Sequence, residues 1–376
     1  MEVTGSMATK QSARRLTLED LTIVDTDSHV TVSADEDLYE YIPEDDVARR
    51  MLDSSRHPFI DIYTATRATP SFPNDEYGAK SRAGYDASPE GKLGFMEEFN
   101  IDYSLLTPTG LLATVNHDPT AVSLARAYND WLLDNWADTD ERIAATMSVA
   151  NQVPERMPEE IDRMATEDLI AGVQLPAAGL VPPAGHRCYD PIYEAAQDHG
   201  LPIVMHSQDL QGALSFPVQR RWAETFVESH AFTFSAEAMW HVISLVCNGV
   251  PERFPDLEWV LQEPGVEWVP WLMWRLDHHY MHVPQNLPML EKPPSKYIRD
   301  QFYFTTQPLG HAENNKHLGY AMEMAGGADT IMFSTDHPHP DFDPPSAVLT
   351  PARTHLEEDD IRGIMGETAV EVFGFE

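Results

Sequence analysis

Eight short, apolar, β-rich runs recur along the chain with helical stretches between them, and this alternation limits the fold more than any other feature. The runs are TIVDTD at 22–27, YSLLTP at 103–108, RIAATMSVA at 142–150 and IAGVQLP at 170–176, then LPIVMH at 201–206, LEWVLQE at 257–263, QFYFTT at 301–306 and TIMFSTD at 330–336. They are nearly continuous rather than alternating in polarity, which is what strands need when both faces are covered, and helices between them supply parallel crossovers. The stretches SLARAYNDWLLDNWAD at 123–138 and DPIYEAAQDHG at 190–200 have that character, the second stopped by Gly200. Eight β/α units in succession predict an α/β fold closed as a (β/α)8 TIM barrel. An open doubly wound sheet is the competing architecture, but no GxGxxG follows the first strand to support a dinucleotide site.

The polar, unpatterned residues 1–20, with a second methionine at Met7, read as a loose arm, and residues 21–376 as one barrel domain. Two long interruptions, 31–95 after the first strand and 207–240 after the fifth, are expected to be insertions or lids. The second carries Phe216, Trp222, Phe226, Phe232 and Phe234, of which Phe216, Trp222 and Phe234 either wall an aromatic substrate or pack as core. Cys188 and Cys247 are too few for a disulfide framework and are expected to pack as small core side chains. A net charge of −36, spread along the whole chain, suits a surface solvated in very high salt and disfavours nucleic acid or an anionic membrane as partner. The apolar runs are too short to cross a bilayer and no charged-then-apolar leader opens the chain, so the expectation is a soluble, cytoplasmic protein acting on a small molecule.

Three strand ends carry metal-ligand chemistry. DTDSHV at 25–30 places Asp27 and His29 two apart, on one side of an extended chain. His206 ends the fifth run and Asp336 the eighth. Either residue alone is as readily a hydrogen-bonded core group or a helix cap. In a barrel, however, all strand C-termini meet at one face, so Asp27, His29, His206 and Asp336 are predicted to converge there as a shell of two imidazoles and two carboxylates for one divalent ion, Zn2+ or Mn2+. Glu263, at the end of the sixth run, is a candidate for proton transfer or substrate orientation, or else a structural hydrogen-bond partner. His337 and His339 flank Asp336 between prolines, while His230 and His241 lie in and after the aromatic insertion, where packing is the simpler use.

These residues, with GKLGFMEEFNIDYSLLTPTG at 91–110, DPIYEAAQDHGLPIVMHS at 190–207, GVPERFPDLEWVLQEPGVEWVPWLMWRLD at 249–277 and IMGETAVEVFGF at 364–375, resemble the amidohydrolase superfamily. Within it the pattern is similar to the amidohydrolase-2 branch, which includes aminocarboxymuconate-semialdehyde decarboxylase and the resorcylate-type decarboxylases. The resemblance implies a homodimer. It also frames two departures. Asp27 stands where the superfamily most often has a histidine, which hardens the site toward Mn2+, and Glu263 stands where many relatives carry a histidine. Binuclear relatives bridge two metals with a carbamylated lysine from strand four, but no lysine lies between Lys92 and Lys292, and Gln174 in GVQLP makes no such bridge, so a mononuclear centre is expected.

The expected reaction is hydrolysis of an amide, lactone or ester-like bond by metal-activated water, with Asp336 as the base and His206 and Glu263 assisting. The alternative is non-oxidative decarboxylation of an aromatic or unsaturated acid on the same four ligands. A catalytically silent binding barrel is a third reading.

Overall fold

The computed structural model describes residues 16–30, 38–53, 88–108, 115, 117–207, 226–339 and 342–375. Eight parallel strands follow one another in sequence order: β1 Val24–Val30, β2 Tyr103–Pro108, β3 Ile143–Ser148, β4 Ile170–Pro176, β5 Ile203–His206, β6 Trp259–Gln262, β7 Phe302–Thr305 and β8 Ile331–Met332. All eight fall inside or overlap the runs read from the sequence, and helices cross between them, so the chain is the (β/α)8 barrel expected. Most of the predicted N-terminal arm, and large parts of both insertions including Phe216 and Trp222, lie outside the described residues.

Two cores hold the barrel. Val24, Leu105, Ala144, Ala171, Val204, Val260 and Met332, from seven of the strands, form an inner cluster with Tyr303 of β7 packed against it. The same cluster takes in Ala369, Val372 and Phe373 of the last helix, Thr368–Phe373, while Phe375 lies 4.9 Å from the Tyr103 ring. The chain's own C-terminus therefore fills that end of the cylinder. The other face of each strand meets the helices in a larger cluster, where Ile23, Val173, Trp259 and Phe302 pack with Leu132, Ile192, Leu245 and Ile298. Having apolar partners on both sides is why the runs show no polar alternation.

β1 and β8 depart from their expected bounds in opposite senses. β1 runs on to Val30, so Asp27 and His29 lie within the strand rather than beyond it, and its register with β2 shifts between Asp25 and Ser28. β8 stops at Met332, four residues before Asp336. The reason is the closing seam. Here Thr26 N donates to Phe333 O (3.2 Å), Asp336 N to Asp27 O (2.8 Å) and His29 N to His337 O (2.7 Å), with a single parallel bridge between Ser28 and His337. Phe333 N turns away to Ile364 O. An irregular segment, not a ladder, joins last strand to first, and it leaves side chains of 333–337 aimed where a regular strand would not put them.

Candidate metal centre

The four residues predicted to converge do so. One donor atom from each of Asp27, His29, His206 and Asp336 lies within 4.8 Å of all the others, and all four residues are buried. His29 Nε2 stands 2.9 Å from Asp336 Oδ1 and 3.6 Å from Asp27 Oδ1, and His206 Nε2 is 3.6 Å from the same Asp27 oxygen. Donors that share one ion at about 2.1 Å stand roughly 3–3.5 Å apart, so these separations match the edges of a coordination shell. Both Asp27 oxygens, His206 Nε2 and Asp336 Oδ2 are buried with no hydrogen-bond partner among the described residues. Acceptor atoms turned toward one another in a dry space are expensive unless a cation joins them, so this donor set fits a divalent ion. His29 Nδ1 faces Thr107 O at 3.4 Å, an arrangement in which a proton held on Nδ1 would turn Nε2, now 2.9 Å from Asp336 Oδ1, to a bound ion.

The protonation states point the same way. Burial first, then the Asp336 charge, holds the Asp27 carboxyl well above the usual carboxylate range. Burial also works to raise Asp336, but the His339 charge and the hydrogen bonds from His29 and His339 outweigh it and hold this carboxyl low. His206 lies well below the ordinary imidazole value through burial and then the His29 charge, and His29 is lowered by burial and then by His339. Neutral imidazoles beside one ionised and one strained carboxyl are the form a metal site needs, and the ion would replace the proton on Asp27.

Beneath the ligands lies a charged support that the sequence did not disclose. Asp25, fully buried, accepts from Thr335 N (2.8 Å), Thr335 Oγ1 (2.7 Å) and Asp27 N (3.3 Å), and pairs with Lys92 Nζ at 3.4 Å. Asp25 thus ties the strand carrying two ligands to the residue preceding a third. Lys92 comes from the helix Pro89–Phe99, which begins on a Ser88 cap and ends at Asn100 in the left-handed region (φ 61). It is 2% exposed, an extreme burial for a lysine. Burial pushes the Lys92 ammonium down and the Asp25 carboxyl up, each opposed by the other's charge. Phe95 of the same helix stacks on His337, ring centroids 3.8 Å apart. A local clue existed in the third acid of DTDSHV, since a carboxylate in a strand buried on both faces requires a cation or several donors.

The remaining candidates separate cleanly. Glu263 is buried at the β6 exit with its backbone in the left-handed region (φ 57), its N donating to Thr305 Oγ1 and its Oε2 3.6 Å from His206 Nε2. His339 Nδ1 lies 2.7 Å from Asp336 Oδ1, with 44% of its side chain exposed. Burial, then Lys92, pushes His337 down to about 2. His241 is structural: Nδ1 accepts from Ala184 N, Nε2 donates to Ala177 O at 2.7 Å, and burial pushes its pKa down to about 4. His230 packs against the Phe234 ring at 4.8 Å. Phe234 is buried, and its carbonyl accepts from Ser207 Oγ next to His206. Gln174 Nε2 donates to Pro108 O, so strand four presents an amide already engaged.

A family model described as amidohydrolase matches residues 24–375, nearly the whole chain, and the chain belongs to that family. Among curated relatives, a γ-resorcylate decarboxylase from Polaromonas sp. is 25% identical over 264 residues, covering 67% of this chain and 77% of its own. Among solved structures, a 5-carboxyvanillate decarboxylase from Sphingomonas paucimobilis superposes with a TM-score of 0.70 at 22% identity, over 95% of this chain and 100% of that one. A dihydroxybenzoic acid decarboxylase from Polaromonas sp., solved with manganese and 2-nitroresorcinol, gives 0.65 at 21% identity, over 94% of this chain and 97% of that one. These decarboxylases overturn the hydrolytic reaction expected from the sequence. Metal-bound hydroxide was its premise, but the four ligands do not by themselves require that water be the reactant. No helix among the described residues is long and apolar enough to cross a membrane.

Two predictions follow from this electrostatics. Because the folded-state pKa of Asp27 is raised, its contribution to the stability of chelated protein is present at low pH and is lost as pH climbs toward the folded value, whereas bound ion removes that loss. The Tm difference between metal-loaded and chelated protein therefore widens from about pH 5 to about pH 8, and a gap that stays flat across the range would refute the assignment. Lys92→Met, measured by denaturant unfolding of chelated protein, costs about 3 kcal/mol because Asp25 is left buried without its cation; adding Asp25→Asn recovers part of the loss.

Proposed function

We propose that this member of the amidohydrolase family is a non-oxidative decarboxylase of an aromatic hydroxy acid, using one divalent cation, manganese before zinc, held by Asp27, His29, His206 and Asp336. The observation that carries the reading is the dry cluster of unsatisfied carboxylate and imidazole atoms at the barrel mouth, in a chain whose curated relative over 67% of its length is a γ-resorcylate decarboxylase. Two carboxylates among four ligands make the site hard, which favours manganese, the ion named with the Polaromonas structure.

The reaction exchanges a carboxylate for a proton on one ring carbon: the carbon–carbon bond breaks, carbon dioxide leaves, and a proton takes its place. When bound, the cation anchors substrate oxygens and offsets negative charge developing beside them. The proton must reach the ring carbon from the protein. Asp336 and His339, 2.7 Å apart, are placed to relay it: His339, half exposed, takes the proton from solvent and passes it through the ionised Asp336 carboxylate to the mouth. Glu263 holds His206 from the β6 exit and directs a second carboxyl group toward the mouth, where it orients a substrate hydroxyl. Burial of all four ligands keeps water from competing. In this reading the catalytic unit is residues 21–376, with 31–95 and 207–240 as insertions in its sequence.

Manganese-loaded protein assayed against a panel of hydroxybenzoates in D2O should release carbon dioxide and arene in equal amounts, with one deuterium on the vacated ring carbon. Asp336→Asn should lower kcat by about 10^3-fold or more with an unchanged circular dichroism spectrum. Turnover of amides or lactones without carbon dioxide would refute the proposal, as would a variant that loses fold and activity together.

A further inference from the structure

Three of the sixteen histidines, His278, His279 and His282, fall within five positions near the end of the helix Val269–His282. Residues four apart on a helix stand one above the other, and His278 and His282 are the one pair of histidines in the sequence with that spacing. Both are exposed, as is His279. The structure brings the two rings together, with centroids 4.2 Å apart and planes inclined by 29°, while the His279 ring stands 6.0 Å from that of His278. None of the three is among the four buried ligands at the barrel mouth.

His282 Nδ1 lies 2.8 Å from His278 O. A carbonyl can only accept, so Nδ1 carries the proton and the neutral ring keeps its lone pair on Nε2, the atom a metal takes. That bond also holds the His282 ring against its own helix, so an ion meets one ligand already oriented and a second imidazole beside it. Two features draw a cation here. The pair occupies the end of the helix, where carbonyls without an intrahelical donor carry a partial negative charge. The net charge of −36 adds the field of the whole molecule.

The donors decide which cation. Asp277, the helix's one acid, is turned in and accepts from Ser295 N (2.9 Å) and Oγ (2.7 Å), so this helix offers exposed nitrogen and no exposed carboxylate. Imidazole alone suits nickel, copper and zinc, whereas manganese, magnesium and calcium favour oxygen. The barrel centre, with two carboxylates among its four ligands, has the opposite preference. We propose that His278 and His282 form a second metal site, a two-imidazole clip on the outside of the barrel that takes one nickel, copper or zinc ion, with water completing its shell. The site is independent of the reaction proposed for the barrel centre.

Nickel binding to the full chain, with manganese in the barrel centre, tests this. Dialysis against about 10 μM Ni2+ in about 1 M KCl, which screens diffuse attraction of counter-ions, should leave one nickel per chain and release no manganese. Adding about 10 mM Mg2+ should not remove that nickel. His282→Ala should weaken nickel binding about tenfold or more, with the circular dichroism spectrum and the bound manganese unchanged, because one imidazole loses the chelate. If that variant does not fold, His278→Gln should have the same effect. His199→Ala, which removes a different exposed histidine, should leave nickel binding as it was. A wild-type chain that takes up no nickel, or takes it up only as manganese leaves, overturns the proposal. A folded His282→Ala or His278→Gln variant that binds nickel as tightly as the wild type overturns it as well.

Discussion

The barrel closes and the metal centre forms at the same seam, and Asp25 is the residue that joins the two. Its carboxylate receives the backbone and hydroxyl of Thr335, the backbone of Asp27 and the ammonium of Lys92. Seven other strand boundaries are ladders whose register any apolar sequence of suitable shape maintains. This one has only scattered hydrogen bonds and a single bridge, so its geometry is set by side-chain electrostatics. Asp27 and Asp336 sit on opposite banks and are brought together by the Asp336 N to Asp27 O bond.

Confining so much negative charge is the problem the surrounding residues address. Asp25, Asp27 and Asp336 lie within one dry region, and burial alone would protonate them. Lys92 compensates Asp25 from below, and His29 with His339 stabilises Asp336 from above. Asp27 receives no hydrogen bond from either group, its two oxygens unsatisfied and its carboxyl pushed up. The centre is thus balanced apart from one position, at which a bound divalent cation would compensate the Asp27 charge.

The strands and the four convergent residues were legible in the sequence because each leaves a local mark: an apolar run buried on both faces, or a polar side chain interrupting such a run at its end. Lys92 left a misleading one. Read along the chain it marks only the start of a lysine-free stretch, and nothing in GKLGFMEEF says that its ammonium turns inward to an aspartate 67 positions earlier. The short β8 was equally hidden, because TIMFSTD has strand composition throughout and only contact with β1 and Ile364 breaks it after Met332. The reaction was illegible for a different reason. Identical ligands serve water activation and carboxylate loss alike, so identity of donors cannot separate them, and the preference for hydrolysis had no residue behind it.

Backbone conformation separates the functional exits from ordinary ones. Three non-glycine residues among those described take positive φ: Asn100, Glu263 and Asp336. Asn100 ends a helix, where asparagine adopts this conformation at little cost. Asp336 is of a type that also tolerates it, whereas Glu263 has no such excuse and costs on the order of 1 kcal/mol that its surroundings must override. The backbone N of Glu263 is held by Thr305 Oγ1, and that of Asp336 by Asp27 O. At Glu263 the strained backbone fixes the direction of a carboxylate whose Oε2 lies 3.6 Å from His206 Nε2. In this way the backbone holds the Glu263 carboxylate beside the cluster, although it lies outside the four-residue shell.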